Sequence, residues 1–321
     1  MWLLLAVVSC SSNRKSSVDE AEGKPKVKVV VPVFNADSAW AYVKAQVDFG
    51  PRVPNSEAHR ACGDYLAAKL QAFGATVYNQ YADLATYDGH LLKARNIVGA
   101  YRPELKRRVV LFSHWDSRPW ADQDPVEANR QKPVPGANDG ASGVGVMLEI
   151  ARQLQAQSTE IGVDLVFLDA EDYGARADYD GEHKEEYWCL GSQYWARNPH
   201  VQGYNARFGI LLDMVGGYNA VFRYEMVSED YARSVNRKVW RAAEDLGFEH
   251  FFVKQDGHYI TDDHVFINRL SHIPTIDIIS FSERGSFFEH WHTVNDDMNA
   301  ISAETLKAVG QTLLQVLYNE K

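Results

Sequence analysis

Five short segments rich in Val, Ile, Leu and Phe set the tightest limit on the fold: residues 95–101, 108–113, 163–169, 208–214 and 275–280. Several are near-continuous apolar runs. That pattern suits strands covered on both faces, as in a parallel sheet held between helices. A strand with one wet face would alternate instead. Helical spacing fills the stretches between. Within 142–154, Val144, Met147, Leu148, Ala151 and Leu154 fall on one stripe, as do Leu306, Val309, Leu313 and Leu317 within 302–318. Residues 37–49 also read as a helix, and Ser56 is placed to cap another over 57–73 that Gly74 closes. Alternating strands and helices predict an α/β domain of three layers, helix–sheet–helix, with a mostly parallel central sheet. No linker-like composition interrupts residues 35–321, so that span is expected to form one domain.

Composition removes some function classes. The 321-residue chain carries a net charge of -10, the wrong sign for a phosphate backbone, so no nucleic-acid partner is expected. No apolar stretch reaches the roughly 18 residues that span a bilayer. The amino terminus stands apart. Residues 1–9 are apolar and end in small residues before Cys10, the pattern of a lipoprotein signal, although the usual positively charged start is missing. Residues 10–34 then read as a flexible tether. Together they predict a lipid anchor through Cys10 and a place on the periplasmic side of a bacterial cell envelope. Cys62 and Cys189 read as free buried thiols, with a disulfide as the alternative.

Polar residues gather where the apolar runs stop. His114 and Asp116 follow the run ending at Ser113, Asp139 lies in "GANDGASG" before a helix, Glu171 and Asp172 follow the 163–169 run, Asp213 closes "FGILLD", and His292 lies in "FFEHWHT". In open α/β sheets the ligand crevice lies beyond the carboxyl ends of the strands. Several carboxylates and one or two imidazoles, with no thiolate, suit a hard or borderline divalent cation such as zinc. A cation also explains two adjacent acids at Glu171–Asp172: one binds it while the other serves as a base. Taken singly, each residue has a plainer reading: a turn aspartate at Asp139, a cap at Asp213, an arginine partner for Glu171, a structural histidine.

"HWD", "NDGASG", "DAED", "LLDM" and "WHT", in this order, resemble the zinc-dependent aminopeptidase superfamily. Within it, "DFGPRVPNSEAHRACGDYL" (48–66), "DDH" (262–264) and "HWHT" (290–293) resemble the glutaminyl-peptide cyclotransferases. The resemblance covers about residues 35–320. It implies a phosphorylase/hydrolase-like zinc exopeptidase fold and one zinc per chain, held by Asp139, Asp172 and His292. Glu171 would be the general acid/base, and Asp213 and Asp262 catalytic partners hydrogen-bonded to each other beside the substrate amine. Trp291, Phe287 and Trp188 would line the substrate pocket. The implied substrates are peptides or proteins with amino-terminal Gln, cyclised to pyroglutamate with release of ammonia. His114 and Asp116 match positions that hold or support a second metal in two-zinc relatives, so a dizinc aminopeptidase is the rival reading. A catalytically silent binding protein is the third. His290 competes with His292 as a ligand; His292 is preferred because it fits the "WHT" pattern.

Overall fold

The computed structural model describes residues 29–321, apart from 177 and 183, together with Trp2. The chain divides into two compact units, Met1–Val30 and Val31–Lys321. The expected signal segment, apart from Trp2, and the tether up to residue 28, including Cys10, lie outside the described residues. Phe34 is buried and its N–H donates to Gln311 Oε1 at 2.9 Å, while Gln311 and Gln153 donate to the carbonyls of Pro32 and Val33.

Among the described residues the strands are β1 (Thr76–Ala85), β2 (Leu91–Tyr101), β3 (Arg108–His114), β4 (Gly162–Leu168), β5 (Gly209–Asp213), β6 (Phe222–Tyr224), β7 (Phe252–Asp256) and β8 (Thr275–Ile279). The helices are α1 (Ala36–Val47), α2 (Glu57–Ala72), α3 (Ala141–Ala156), α4 (Leu190–Arg197), α5 (Met226–Asp245), α6 (Asp263–Ser271) and α7 (Ala303–Asn319). Strands β6 and β7 pair with each other; the rest form one sheet in the order β1-β2-β4-β3-β5-β8. The four strands β4, β3, β5 and β8 run parallel, and β1 and β2 are antiparallel additions at one edge. This is the expected α/β architecture.

Every residue of β3, β4, β5 and β8 is buried, which is why their sequences do not alternate. Phe112 and Leu211 pack with Trp195 of α4 and Ile267 of α6. One residue further along the same strands, Ser113 and Leu212 meet Gly143 of α3. Successive strand residues point to opposite faces, so α3 covers one side of the sheet and α4 and α6 the other. Strand β1 was not expected, because its residues alternate only between exposed and half-buried and leave no apolar face to read. Ser56 and Ser302 cap α2 and α7 by accepting from the N–H groups of His59 and Thr305.

Strand β3 is flanked by β4 on one side and β5 on the other, so the strand order reverses there. A reversal opens a crevice at the carboxyl ends of the diverging strands. The close seat of α3 on the sheet beside this crevice depends on Gly143. A Cβ there would stand 2.3 Å from Ser113 Oγ and 2.5 Å from the Leu212 carbonyl oxygen. Gly143→Ala should therefore destabilise the fold by about 1–3 kcal/mol, the usual cost of overpacking. A denaturant-unfolding midpoint equal to that of the wild type would show that α3 can shift without cost.

Candidate metal centre and active site

The crevice is built by loops that leave the strands and are then tied to one another. Beyond β4 the chain turns at Ala170, whose φ of +53° is uncommon for a residue with a side chain. The turn sends Glu171 and Asp172 to different neighbours. Both of their backbone N–H groups donate to the two oxygens of Asp116, at 3.2 Å each. Asp116 thus acts as a brace for the pair, and its Oδ1 lies 3.5 Å from His114 Nδ1.

Asp139 sits just before α3. Gly140 follows it with φ +93°, and a Cβ there would meet the Asp116 carbonyl oxygen at 2.7 Å, so the loop needs glycine on both counts. Asp296 accepts from the N–H groups of Asn138 and Asp139 at 2.8 and 3.0 Å. It thereby ties the Asp139 loop to the loop that carries His292. Burial pushes the Asp296 carboxyl up to about 8, with the nearby Asp139 adding to the rise. A third brace is Asp122. It accepts both arms of Arg118 at 2.8 and 2.7 Å and lies 3.6 Å from His292 Nδ1. Burial opposes its ionisation, but Arg118 and His292 hold it far below the usual carboxylate range. Arg118 also donates to the Asp172 carbonyl at 3.0 Å.

These braces bring Asp139, Asp172 and His292 together, with one donor atom of each within 4.8 Å of the others and all three residues buried. His292 Nε2 lies 3.1 Å from Asp172 Oδ1 and 3.6 Å from Asp139 Oδ2. Asp172 Oδ1 is buried with no hydrogen bond to satisfy it. Two carboxylates and one imidazole, converging with an oxygen left over, fit a zinc ion with an open fourth position. A second group, His114, Asp139 and Asp213, converges equally closely and shares Asp139 with the first. There His114 Nε2 lies 3.1 Å from Asp139 Oδ1 and 3.2 Å from Asp213 Oδ1. Burial would lower the His114 pKa, but Asp116, Asp139 and Asp213 together raise it well above the ordinary imidazole value.

Glu171 stands beside both groups. Burial pushes its carboxyl well above the usual range; His114 opposes this and the Asp172 charge adds to it. Burial similarly raises Asp213 to about 7. The direct hydrogen bond expected between Asp213 and Asp262 is replaced by other bonds. Asp262 caps α6, its carboxyl turned back onto the Asp263 N–H, while Asp213 takes its bond from His114. Asp262 still raises Asp213 through its charge and stays on the crevice wall.

A cavity of about 180 Å³ opens over these groups and is walled by Trp188, Phe287 and Trp291. Trp291 stacks on His292 at 3.8 Å between ring centres, and Phe287 packs on Trp291 at 4.8 Å. Trp188 lies parallel to His292 at 6.1 Å, under Arg118. The expected metal, catalytic and substrate residues therefore line one crevice, with His114 and Asp116 buried behind them. His290 does not, since it pairs with Glu289 and is about a third exposed. Sequence reasoning missed Arg118, Asp122 and Asp296, and the contact of Cys189 with Glu171. Cys189 and Leu190 donate from their backbones to Glu171 and Ala170. Cys62 and Cys189 are free and buried.

The sequence profile of peptidase family M28 matches residues 96–317. A solved structure of Bacteroides thetaiotaomicron glutaminyl cyclase bound to N-acetylhistamine is similar at 63% identity and a TM-score of 0.90, covering 91% of this chain and 100% of that one. Glutaminyl-peptide cyclotransferase of the snake Gloydius blomhoffii is 27% identical over 307 residues, 84% of this chain and 77% of that protein. Aminopeptidase YwaD of Bacillus subtilis is also 27% identical, over 84% of this chain, but this chain spans only 54% of that longer protein.

Partners of metal ligands commonly change affinity 10- to 100-fold when removed. Asp296→Ala should weaken zinc binding by about that factor, because the Asp139 loop loses both of its N–H acceptors. Competition against a chromogenic chelator measures this directly, and unchanged affinity would mean that the loop holds its shape without Asp296.

Proposed function

This chain belongs to peptidase family M28, and within it we propose a zinc-dependent glutaminyl-peptide cyclotransferase that converts amino-terminal Gln to pyroglutamate and ammonia. The observation that carries the reading is the arrangement of Glu171. It is the carboxyl beside a complete zinc triad, raised in pKa, at the floor of a small cavity with aromatic walls. The similarity to the Bacteroides cyclase over nearly the whole catalytic unit supports it.

An amino-terminal Gln carries a nucleophile and an electrophile in one residue, so holding it folded supplies much of the acceleration. Zinc held by Asp139, Asp172 and His292 would supply Lewis-acid polarisation of a carbonyl oxygen. The α-amine nitrogen bonds to Cδ, the carbon of the side-chain amide, closing a five-membered ring. Glu171 takes the proton that the nitrogen loses. It returns that proton to the side-chain amide nitrogen, the carbon–nitrogen bond breaks, and ammonia leaves. No proton or water is consumed overall. A proton carrier works best with a pKa near the operating pH, and burial moves Glu171 in that direction. Trp291 and Phe287 pack against the substrate and keep bulk water from the reacting carbon.

One zinc per chain is part of the proposal. His114 already bridges Asp139 and Asp213 through Nε2, and a protonated imidazole there fills the place of a second cation. The rival dizinc aminopeptidase is favoured by the same three donors if that proton is lost. Two peptides separate the readings. An amino-terminal Gln peptide should yield ammonia, an amino-terminal Leu peptide should yield no free Leu, and elemental analysis should find about one zinc per chain. Two zincs with Leu release would replace the proposal by the aminopeptidase, and no product from either peptide would favour the silent binding protein. Glu171→Gln should keep its zinc and lose about 10²–10⁴-fold in turnover, the usual worth of general acid–base help.

We also propose that the chain is lipid-anchored through Cys10 on the periplasmic side of a cell envelope, on the strength of the apolar 1–9 segment and the polar stretch after it. Expressed in a bacterium with an alkyne-tagged fatty acid, the wild type should take up label and Cys10→Ser should not. Equal labelling of both would remove Cys10 as the anchor.

A further inference from the structure

Glu171 is held by Cys189, which lies outside the two metal groups described above and converges with Glu171 and Asp262. Cys189 immediately precedes α4 and has φ +57°. Ala170, beside Glu171, has φ +53°. Left-handed backbone at two residues with side chains persists only where the surroundings enforce it. Here the two strained residues enforce each other: the Cys189 N–H donates to the Glu171 carbonyl and the Leu190 N–H to the Ala170 carbonyl, both at 3.0 Å. Gly191 presses the first turn of α4 so closely on this segment that a Cβ would lie 2.0 Å from the Asp169 carbonyl oxygen. The Cys189 thiol then reaches Glu171 Oε1 at 3.3 Å. The other carboxyl oxygen, Oε2, lies 3.9 Å from His114 Nδ1.

We propose that Cys189 is a positioning residue for the proton carrier. Its thiol fixes Oε1 of Glu171 and leaves Oε2 as the oxygen that exchanges protons with the substrate. This rests on the cyclase reading for the identity of the substrate, but not for the contact itself. The thiol suits the task. It is fully buried, and burial with the Glu171 charge beside it keeps it protonated, so it stands as a donor and not as a second anion. A thiol is also a weak donor. It sets the carboxyl rotamer without holding the charged form as firmly as a hydroxyl or amide would.

Two measurements on the full chain test this. In infrared difference spectra of wild type against Cys189→Ser, the S–H stretch of Cys189 should lie at the frequency of a hydrogen-bonded thiol and shift towards a free one in Glu171→Ala. In kinetics on an amino-terminal Gln peptide, Cys189→Ala should lose roughly 10-fold in kcat, as misplaced catalytic groups do, with KM, zinc content and melting temperature kept. Cys189→Ser should regain part of that loss. A merely structural cysteine would move melting temperature together with kcat and show no recovery with serine. Wild-type kcat in Cys189→Ala, or a band indifferent to Glu171→Ala, overturns the proposal. If Cys189→Ala does not fold, the infrared comparison decides alone. Failure of the wild type to release ammonia would instead count against the cyclase reading and leave the infrared result standing.

Discussion

The crowding of buried carboxyl groups around the carboxyl ends of the central strands is the constraint on which the rest of this structure depends. Asp116, Asp139, Asp172, Asp213, Asp262, Asp263, Asp277 and Asp296 are all buried, with Glu171 nearly so. An uncompensated buried carboxylate costs several kcal/mol even after relaxation. The fold offsets that cost in four ways. Backbone N–H groups satisfy Asp116 and Asp296. Arg118 answers Asp122 and Asp172. Imidazoles are interposed: His114 and His292 in the crevice, and His264 against Glu225 behind it. Lastly, protons are retained, as the raised Asp213 and Asp296 show. A cation among Asp139, Asp172 and His292 completes the set. Most of these contacts join segments distant in sequence, Asp296 to Asn138 and Asp139 above all, so the electrostatics of the site and the placement of its loops are one problem.

The division between what was legible in the sequence and what was not follows from this. The parallel core was legible because complete burial forbids alternation, and β3, β4, β5 and β8 show it. The chemistry-bearing residues were legible because they sit where those strands stop. The braces were not. Asp296 acts on Asn138 and Asp139 from 158 and 157 residues away, and nothing in the local sequence of either loop announces the partner. Arg118 looks like an ordinary loop arginine until folding places it under Asp172 and Asp122. Asp262 lies in the expected crevice, but its capping bond was not foreseen: at the start of α6 its Oδ1 accepts from the Asp263 N–H, which leaves Oδ2 without a partner. Beyond Asp172, Tyr173 packs on Trp120, and Tyr179 and Tyr187 on Tyr87, contacts that the charged sequence around them does not announce.

The number of cations this site can hold turns on one nitrogen. His114 Nε2 faces Asp139 and Asp213 at nearly equal distances. Protonated, it donates to both, and the two carboxylates need no second cation. Unprotonated, the same lone pair joins the same two carboxylates as a ligand set that would suit a second cation, which would supply activation of a water nucleophile. A proton and a metal ion thus compete for one position. Asp116, 3.5 Å from Nδ1, supports either state, since a carboxylate on the far nitrogen stabilises an imidazolium and also orients a metal-bound imidazole. The proposed cyclisation differs from hydrolysis in where the nucleophile comes from. An amino-terminal amine on a residue that carries its own carbonyl at ring-closing distance brings its nucleophile with it, whereas cleavage of a peptide bond would need a water activated at the metal.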